Sequence, residues 1–233
     1  MDWNKLTIPL SIVVAGGLIA GAVYFSNISV AKEAVKEPSQ EQPSGDVSKT
    51  RTVSSSDHIL GNPNAELVIV EYSDLECPYC KMFHPVMLQL FNEYGSSGKI
   101  AWVYRHFPIA QLHPKAQNEA EASECVNDLG GPTKFWQFID KIYEITPANN
   151  GLDPAQLPKI AGDIGIDIKK FNECLVSGKE SAKVQADYTN AIESGAQGTP
   201  YSVIISKDGT KTPFNGYIEY SKLKPIIDSL LAK

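Results

Sequence analysis

Residues 66–72 read ELVIVEY, a β-branched run that is apolar at odd and even positions alike. Such a segment is stable as a strand in the middle of a sheet, with both of its faces covered. Directly after it, Cys80 to Tyr94 carries Met82, Phe83, Val86, Met87, Leu90 and Phe91 on one broad stripe at helical spacing. Lys99 to His106 (KIAWVYRH) is a second strand candidate. From Pro114 to Gly195 only helical patterns occur: Lys115 to Leu129, Thr133 to Ile145, Pro154 to Ile164, Ile168 to Val176 and Glu180 to Ser194. Strand character returns at Tyr201 to Ser206 (YSVIIS), followed by an Asp208-Gly209 turn, a strand at Thr210 to Phe214 and an amphipathic helix from Tyr220 to Leu231. The fold class is therefore α/β, with an all-helical insertion at about residues 112–195 around which the two ends of the α/β unit must meet.

With 233 residues and 42% hydrophobic content the chain can bury one good-sized core. A net charge of −6 and a pI near 5.3 argue against nucleic acid as a partner, since that grip needs a basic face. Leu6 to Phe25 is 20 residues without a charge, enough for a helix to span a bilayer's hydrocarbon thickness of about 30 Å. Residues 1–30 are thus expected to be a transmembrane anchor. A cleaved signal peptide is the alternative: Ser29-Val30-Ala31 has the small residues a signal peptidase needs, and the domain would then be secreted. Orientation rests on little, with Lys5 on one side and Lys32 and Lys36 on the other. Residues 31–57 mix Lys, Glu, Ser, Gln and Pro with isolated valines, which predicts a flexible tether with a root-mean-square span of roughly 30 Å. The folded domain is expected at 58–233.

SDLECPYCKMFHP, residues 73–85, puts Cys77 and Cys80 two residues apart at the start of the first helix. A zinc site needs four ligands, usually as two close pairs, whereas Cys125 and Cys174 are solitary and His84, His106 and His113 have no ligand spacing. A disulfide closing so short a loop removes little entropy from the unfolded chain, so a purely structural staple is a poor reading. Thiol redox chemistry is left. With Cys77 just before the helix and Pro78 at its first position, the sulfur sits beside unpaired backbone N–H groups at the positive end of the dipole. Both features favour the thiolate, which is the nucleophile in disulfide exchange. Cys80, one turn in and more enclosed, is then the resolving thiol. Asp74 and Glu76 oppose the thiolate and are expected to be solvated loop residues whose field is screened. His84 could tune Cys77 by its charge or be an ordinary half-buried histidine.

Three further features make the stretch resemble the thioredoxin superfamily. Glu71 lies six residues before Cys77, Pro85 five after Cys80, and Thr199-Pro200 stands in GAQGTPYSVII. The resemblance implies that Glu71 is a buried acid relaying the proton of Cys80, that Pro85 kinks the active-site helix, and that Pro200 is a cis-proline. Cys77 and Pro200 are 123 residues apart, and the excess coincides with the helical block, as in the DsbA branch, a thioredoxin fold with an inserted helical domain. ELVIVEYSDLECPYC and RHFPIAQLHPKAQNEAEASEC look like its membrane-tethered and secreted bacterial members. Outside the cytoplasm Cys125 and Cys174 are then expected to pair, two buried free thiols being the alternative.

By the same resemblance, Pro78, Tyr79, Thr199 and Tyr201 line the groove in which an extended substrate peptide pairs with the Thr199 backbone. The implied function is an extracytoplasmic oxidase that passes the Cys77–Cys80 disulfide to cysteine-containing exported proteins. A membrane partner reoxidises it, and no cofactor is needed. A reductase or isomerase of the same compartment, and a redox-silent binding module or chaperone, are the competing readings.

Overall fold

The computed structural model describes residues 45–232. The apolar run Leu6–Phe25 and most of the expected tether lie outside them; among the described residues no helix is long and apolar enough to cross a membrane. Five strands, β1 (His58–Gly61), β2 (Leu67–Ser73), β3 (Ile100–His106), β4 (Tyr201–Ser206) and β5 (Lys211–Asn215), form one sheet in the order β1-β3-β2-β4-β5. The ELVIVEY run is its central strand, parallel to β3 and antiparallel to β4. All seven residues of β2 are buried. Side chains alternate across the sheet. Leu67 and Ile69 pack on the face that also holds Ile100, Trp102, Tyr104 and Ile204. Val68, Val70 and Tyr72 pack on the other, with Ala101, Val103, Tyr201 and Val203.

Seven helices follow in chain order among the described residues: α1 (Pro78–Tyr94), α2 (Ala116–Gly130), α3 (Pro132–Ile145), α4 (Gln156–Asp163), α5 (Ile168–Ser177), α6 (Ser181–Glu193) and α7 (Tyr220–Leu231). Phe83, Met87 and Leu90 of α1 and Leu223 and Ile227 of α7 cover the first face of the sheet. The same core continues into the inserted helices through Phe135, Phe138, Ile142 and Phe171, so α/β unit and insertion are sealed by one apolar interior rather than hinged. Local chemistry ends these helices cleanly. At α5 the Asp167 carboxylate caps the Lys170 amide at 3.0 Å, and Gly178 closes the other end with φ of 64°.

The helical stretch has two destinations. Helices α2 to α5 pack beside α1 as the insertion, but α6, expected within that block, returns to the sheet and covers its second face with Tyr188 and Ala191. Periodicity could not separate it from its neighbours, because an amphipathic stripe does not state which surface it will meet.

Residues 45–57, expected in the tether, are packed on the domain instead. Gly45 crosses so close to Gly195 that a Cβ on Gly45 would lie 2.2 Å from the Gly195 backbone, and the Asp46 amide donates to Glu193 O at 2.8 Å. Arg51 donates to Asp187 at 2.7 Å. Arg105, fully buried, holds both Asp57 oxygens at 2.8 and 3.1 Å and the Arg51 carbonyl at 3.1 Å. A polar network rather than apolar area fastens this strap, which is why a hydrophobicity reading passed over it. The four residues of the short β1 carry too little pattern to stand out alone.

Candidate active site

Strand β2 ends at Ser73, three residues turn the chain, and α1 begins. Cys77 is the residue before the helix, in extended conformation (φ −75°, ψ 123°), with Pro78 in the first turn. Its amide donates to Asp74 O at 3.1 Å. From far along the chain the Thr199–Pro200 peptide, which is cis as expected, comes up against it. The Cys77 sulfur lies 3.4 Å from Thr199 O, to which its thiol can donate.

The Cys77 thiol is pulled down to about 6, foremost by the hydrogen bond from the Cys80 thiol. Burial opposes this, while the Thr199 side chain and the Cys80 and Tyr79 amides add to it. The acidity anticipated from the helix terminus is therefore present with a different leading cause: a neighbouring S–H, with the helix amides behind it. Most of the sulfur is ionised at neutral pH, as a nucleophile in disulfide exchange requires.

Cys80 is fully buried, and burial, followed by its hydrogen bond to Cys77 and then the Cys77 charge, pushes its thiol well above the ordinary range. Beneath it lies Glu71, also buried. The carboxylate accepts from Ser73 Oγ at 2.7 Å through Oε1 and from Trp102 Nε1 at 3.0 Å through Oε2. Burial outweighs both hydrogen bonds and lifts Glu71 to about 7. An acid that changes charge near neutrality beside a reluctant thiol can take or return that thiol's proton.

Asp74 and Glu76 are not solvated; both are buried, and the expectation of screened loop carboxylates is corrected. Asp74 accepts from the Glu76 and Ile109 amides at 2.8 Å and pairs with His113 Nδ1 at 2.9 Å. Glu76 accepts from the Gly151 and Leu152 amides at 3.1 and 3.2 Å. These carboxylates pin the turn before Cys77 to two loops, a task that a local reading of sequence does not reveal. Glu119 lies against Glu76, and burial and that neighbour push it up to about 9.

Of the expected groove residues, Tyr79 is 58% exposed and Thr199 half-buried beside the sulfur. Pro78 is half-buried next to them. Tyr201 is corrected: its ring is buried against Tyr72 and its hydroxyl donates to Ser194 O at 2.7 Å, so only its backbone borders the groove. Pro85 lies within α1 on its exposed side. His84 is buried, packs on Trp102 and Tyr143, and pairs with Asp140 at 2.7 Å; the groups that acidify Cys77 are Cys80, Thr199 and the amides.

Cys125 on α2 and Cys174 on α5 form a disulfide, with Cα atoms 5.9 Å apart. His58, His106 and Glu124 place possible ligand atoms within 4.8 Å of one another. Lys183 Nζ is 3.2 Å from the Glu124 oxygen that both imidazoles share, so the chain already supplies a cation there.

An acidified cysteine at a helix start, a second buried thiol one turn on, a buried acid and a cis-proline are the parts of a thiol-disulfide exchange enzyme. A thioredoxin family model matches residues 53–229, and the chain belongs to that family, among its DsbA-type oxidoreductases. DsbA2 of Pseudomonas aeruginosa superposes with a TM-score of 0.65 at 26% identity, over 77% of this chain and 97% of that one. α-DsbA1 of Wolbachia pipientis superposes at 0.68 with 25% identity, over 80% and 96%. Among curated relatives, Na(+)/H(+) antiporter NhaA 1 of Salinispora arenicola is 34% identical over 145 residues, 62% of this chain. The chain spans only 21% of that relative's length.

Proposed function

We propose that the protein is an extracytoplasmic dithiol oxidase, held at the membrane by Leu6–Phe25, which passes the Cys77–Cys80 disulfide to cysteine-containing exported proteins and is reoxidised by a membrane partner. What carries this reading is the Cys77 sulfur at the start of α1, 3.4 Å from Thr199 O beside the cis Thr199–Pro200 peptide, in surroundings that pull its thiol down to about 6. A thiolate stabilised in the dithiol form lowers the free energy of the reduced protein, and a protein that is more stable reduced is an oxidant. The Cys125–Cys174 disulfide supports an oxidising compartment. Tyr79, Thr199 and the Pro200 backbone offer a substrate mostly shape and main-chain partners, which favours broad substrate choice.

The test is the potential of the Cys77–Cys80 couple in glutathione buffers. A value near about −120 mV supports the oxidase, and one near about −270 mV would replace it with a reductase. Anchoring is tested separately, by fractionating cells that express the full chain. Recovery of the intact protein in the membrane pellet supports retention, while a soluble product starting near Ala31 favours signal cleavage.

A further inference from the structure

We infer that Glu76 is a positioning residue for Cys77, and that the loop between α3 and α4 of the helical insertion is its receptor, fixing the peptide plane that leads into the nucleophile. Glu76 is fully buried, and each of its polar groups is engaged. Its amide donates to Asp74 Oδ1 at 2.8 Å, and its carbonyl accepts from the Asn149 amide at 2.7 Å. The carboxylate accepts from the Gly151 amide through Oε2 at 3.1 Å and from the Leu152 amide through Oε1 at 3.2 Å. The Glu76 carbonyl and the Cys77 amide belong to one planar peptide unit. That plane is held at both ends, because the Cys77 amide donates to Asp74 O at 3.1 Å. With the plane fixed and Cys77 at φ −75° and ψ 123°, the sulfur falls 3.4 Å from Thr199 O.

The receptor has an unusual backbone. Ala148, Asn149 and Asn150 take φ of 63°, 51° and 65° in succession, a left-handed run that residues other than glycine seldom adopt. Such a turn gathers backbone N–H groups around a concavity suited to an anion, and here Glu76 fills it. Backbone of this kind persists where its surroundings over-determine it, and four contacts do so. Thr146 Oγ1 accepts from the Ala148 amide at 3.0 Å, and Asn150 Nδ2 donates to Leu112 O at 3.0 Å. Lys115 Nζ donates to Asn150 O at 2.7 Å and to Leu152 O at 2.8 Å. Lys81 of α1 reaches the Thr146 carbonyl, which ties the loop to the helix that Cys77 begins. A carboxylate one residue from a sulfur that must ionise opposes the thiolate by its charge. The service of Glu76 is therefore geometric, and it makes the insertion part of the apparatus that aims the nucleophile.

The inference rests on thiol-disulfide exchange at Cys77 and not on its preferred direction. The experiment follows attack of the reduced full-length protein on oxidised glutathione at neutral pH, in which the Cys77 sulfur bonds one glutathione sulfur and the other leaves as a thiolate. The thiolate absorbance of Cys77 and the denaturant midpoint are read on the same samples. Glu76→Ala is expected to slow attack at least about tenfold, within the roughly 100-fold that an ångström of misplacement costs, and to lower the ionised fraction. Removal of a negative charge alone would raise that fraction, so the sign separates position from charge. Asn149→Pro deletes the amide on the Glu76 carbonyl from the insertion side and cannot take a φ of 51°. It should reproduce the loss, and the double variant should be no slower than the slower single one, because both open one clamp. Folded single variants that attack within twofold of wild type, whatever their denaturant midpoints, overturn the proposal, as do effects that multiply in the double. If Glu76→Ala does not fold, Asn149→Pro decides by the same criteria, since Asn149 is exposed and its replacement leaves the core intact. Wild type that never reacts with oxidised glutathione would instead end the exchange reading itself, so the two failures are distinct.

Discussion

The two cysteine pairs of this chain are the same chemical group in opposite surroundings. Cys77 and Cys80 lie one helical turn apart at the start of α1, where an S–H, the Thr199 side chain and backbone amides stabilise a thiolate, and where the buried Glu71 is raised to about 7. Cys125 and Cys174 stand 49 residues apart on α2 and α5, inside the apolar core of the insertion. The first pair closes almost no loop and gains little stability from being joined; the second closes a long one and lies within the apolar core. Reactivity and stapling are thus properties of the setting rather than of the residue.

The sharpest way to break that contrast is to exchange the roles within the first pair. Cys77→Ser is expected to abolish disulfide exchange, and Cys80→Ser to accumulate mixed disulfides with substrates, seen as adducts on non-reducing gels. Adducts on Cys77→Ser and none on Cys80→Ser would reverse the assignment of nucleophile and resolving thiol. Next in size, replacing Cys125 and Cys174 by Ala should cost about 4 kcal/mol of stability from loop entropy, measured by denaturant unfolding, and leave exchange within about twofold. A large loss of exchange in a folded variant would show that the second pair takes part in the chemistry.

Glu71→Gln sharpens the comparison from the acid's side. With its carboxyl raised to about 7, native protein keeps a proton that the unfolded chain releases near 4.5, so stability falls as pH rises through that window. The Gln variant lacks this loss and should be more stable than wild type at pH 8 by on the order of 3 kcal/mol in the reduced form, while exchanging more slowly. A variant no more stable than wild type there would mean that the carboxylate is better solvated than its burial indicates. The smallest effect is expected from Thr199→Val, which removes one donor and should raise the Cys77 thiol above about 6, read from thiolate ultraviolet absorbance.

The order of elements was largely open to reading because each carried its own period. β4 and α7 fall where alternation and the helical stripe put them, and the dithiol announced itself through Cys-x-x-Cys after a buried strand. Ser73 was also within reach, since the two-residue period sets it beside Glu71; the signal was present but carried no motif. Tyr143 was not: it lies 63 residues beyond Cys80 and meets the site only because α3 packs on α1. Asp74, Glu76 and the strap at 45–57 failed for a related reason. A carboxylate reads as solvated until the amides and imidazole that replace water are in place, and those come from residues 109, 113, 151 and 152.

By itself the amino-acid sequence determined the alternation of strand and helix and the position of a nucleophilic sulfur at a helix start, because these follow from periods and caps spanning a few residues. Only the tertiary structure decided that α6 belongs to the sheet, that Ser73 and Trp102 hold the Glu71 carboxylate, and that Tyr143 comes within 3.0 Å of the Ser73 hydroxyl. Desolvation and hydrogen-bond direction depend on neighbours brought from distant parts of the chain, and no local pattern encodes them.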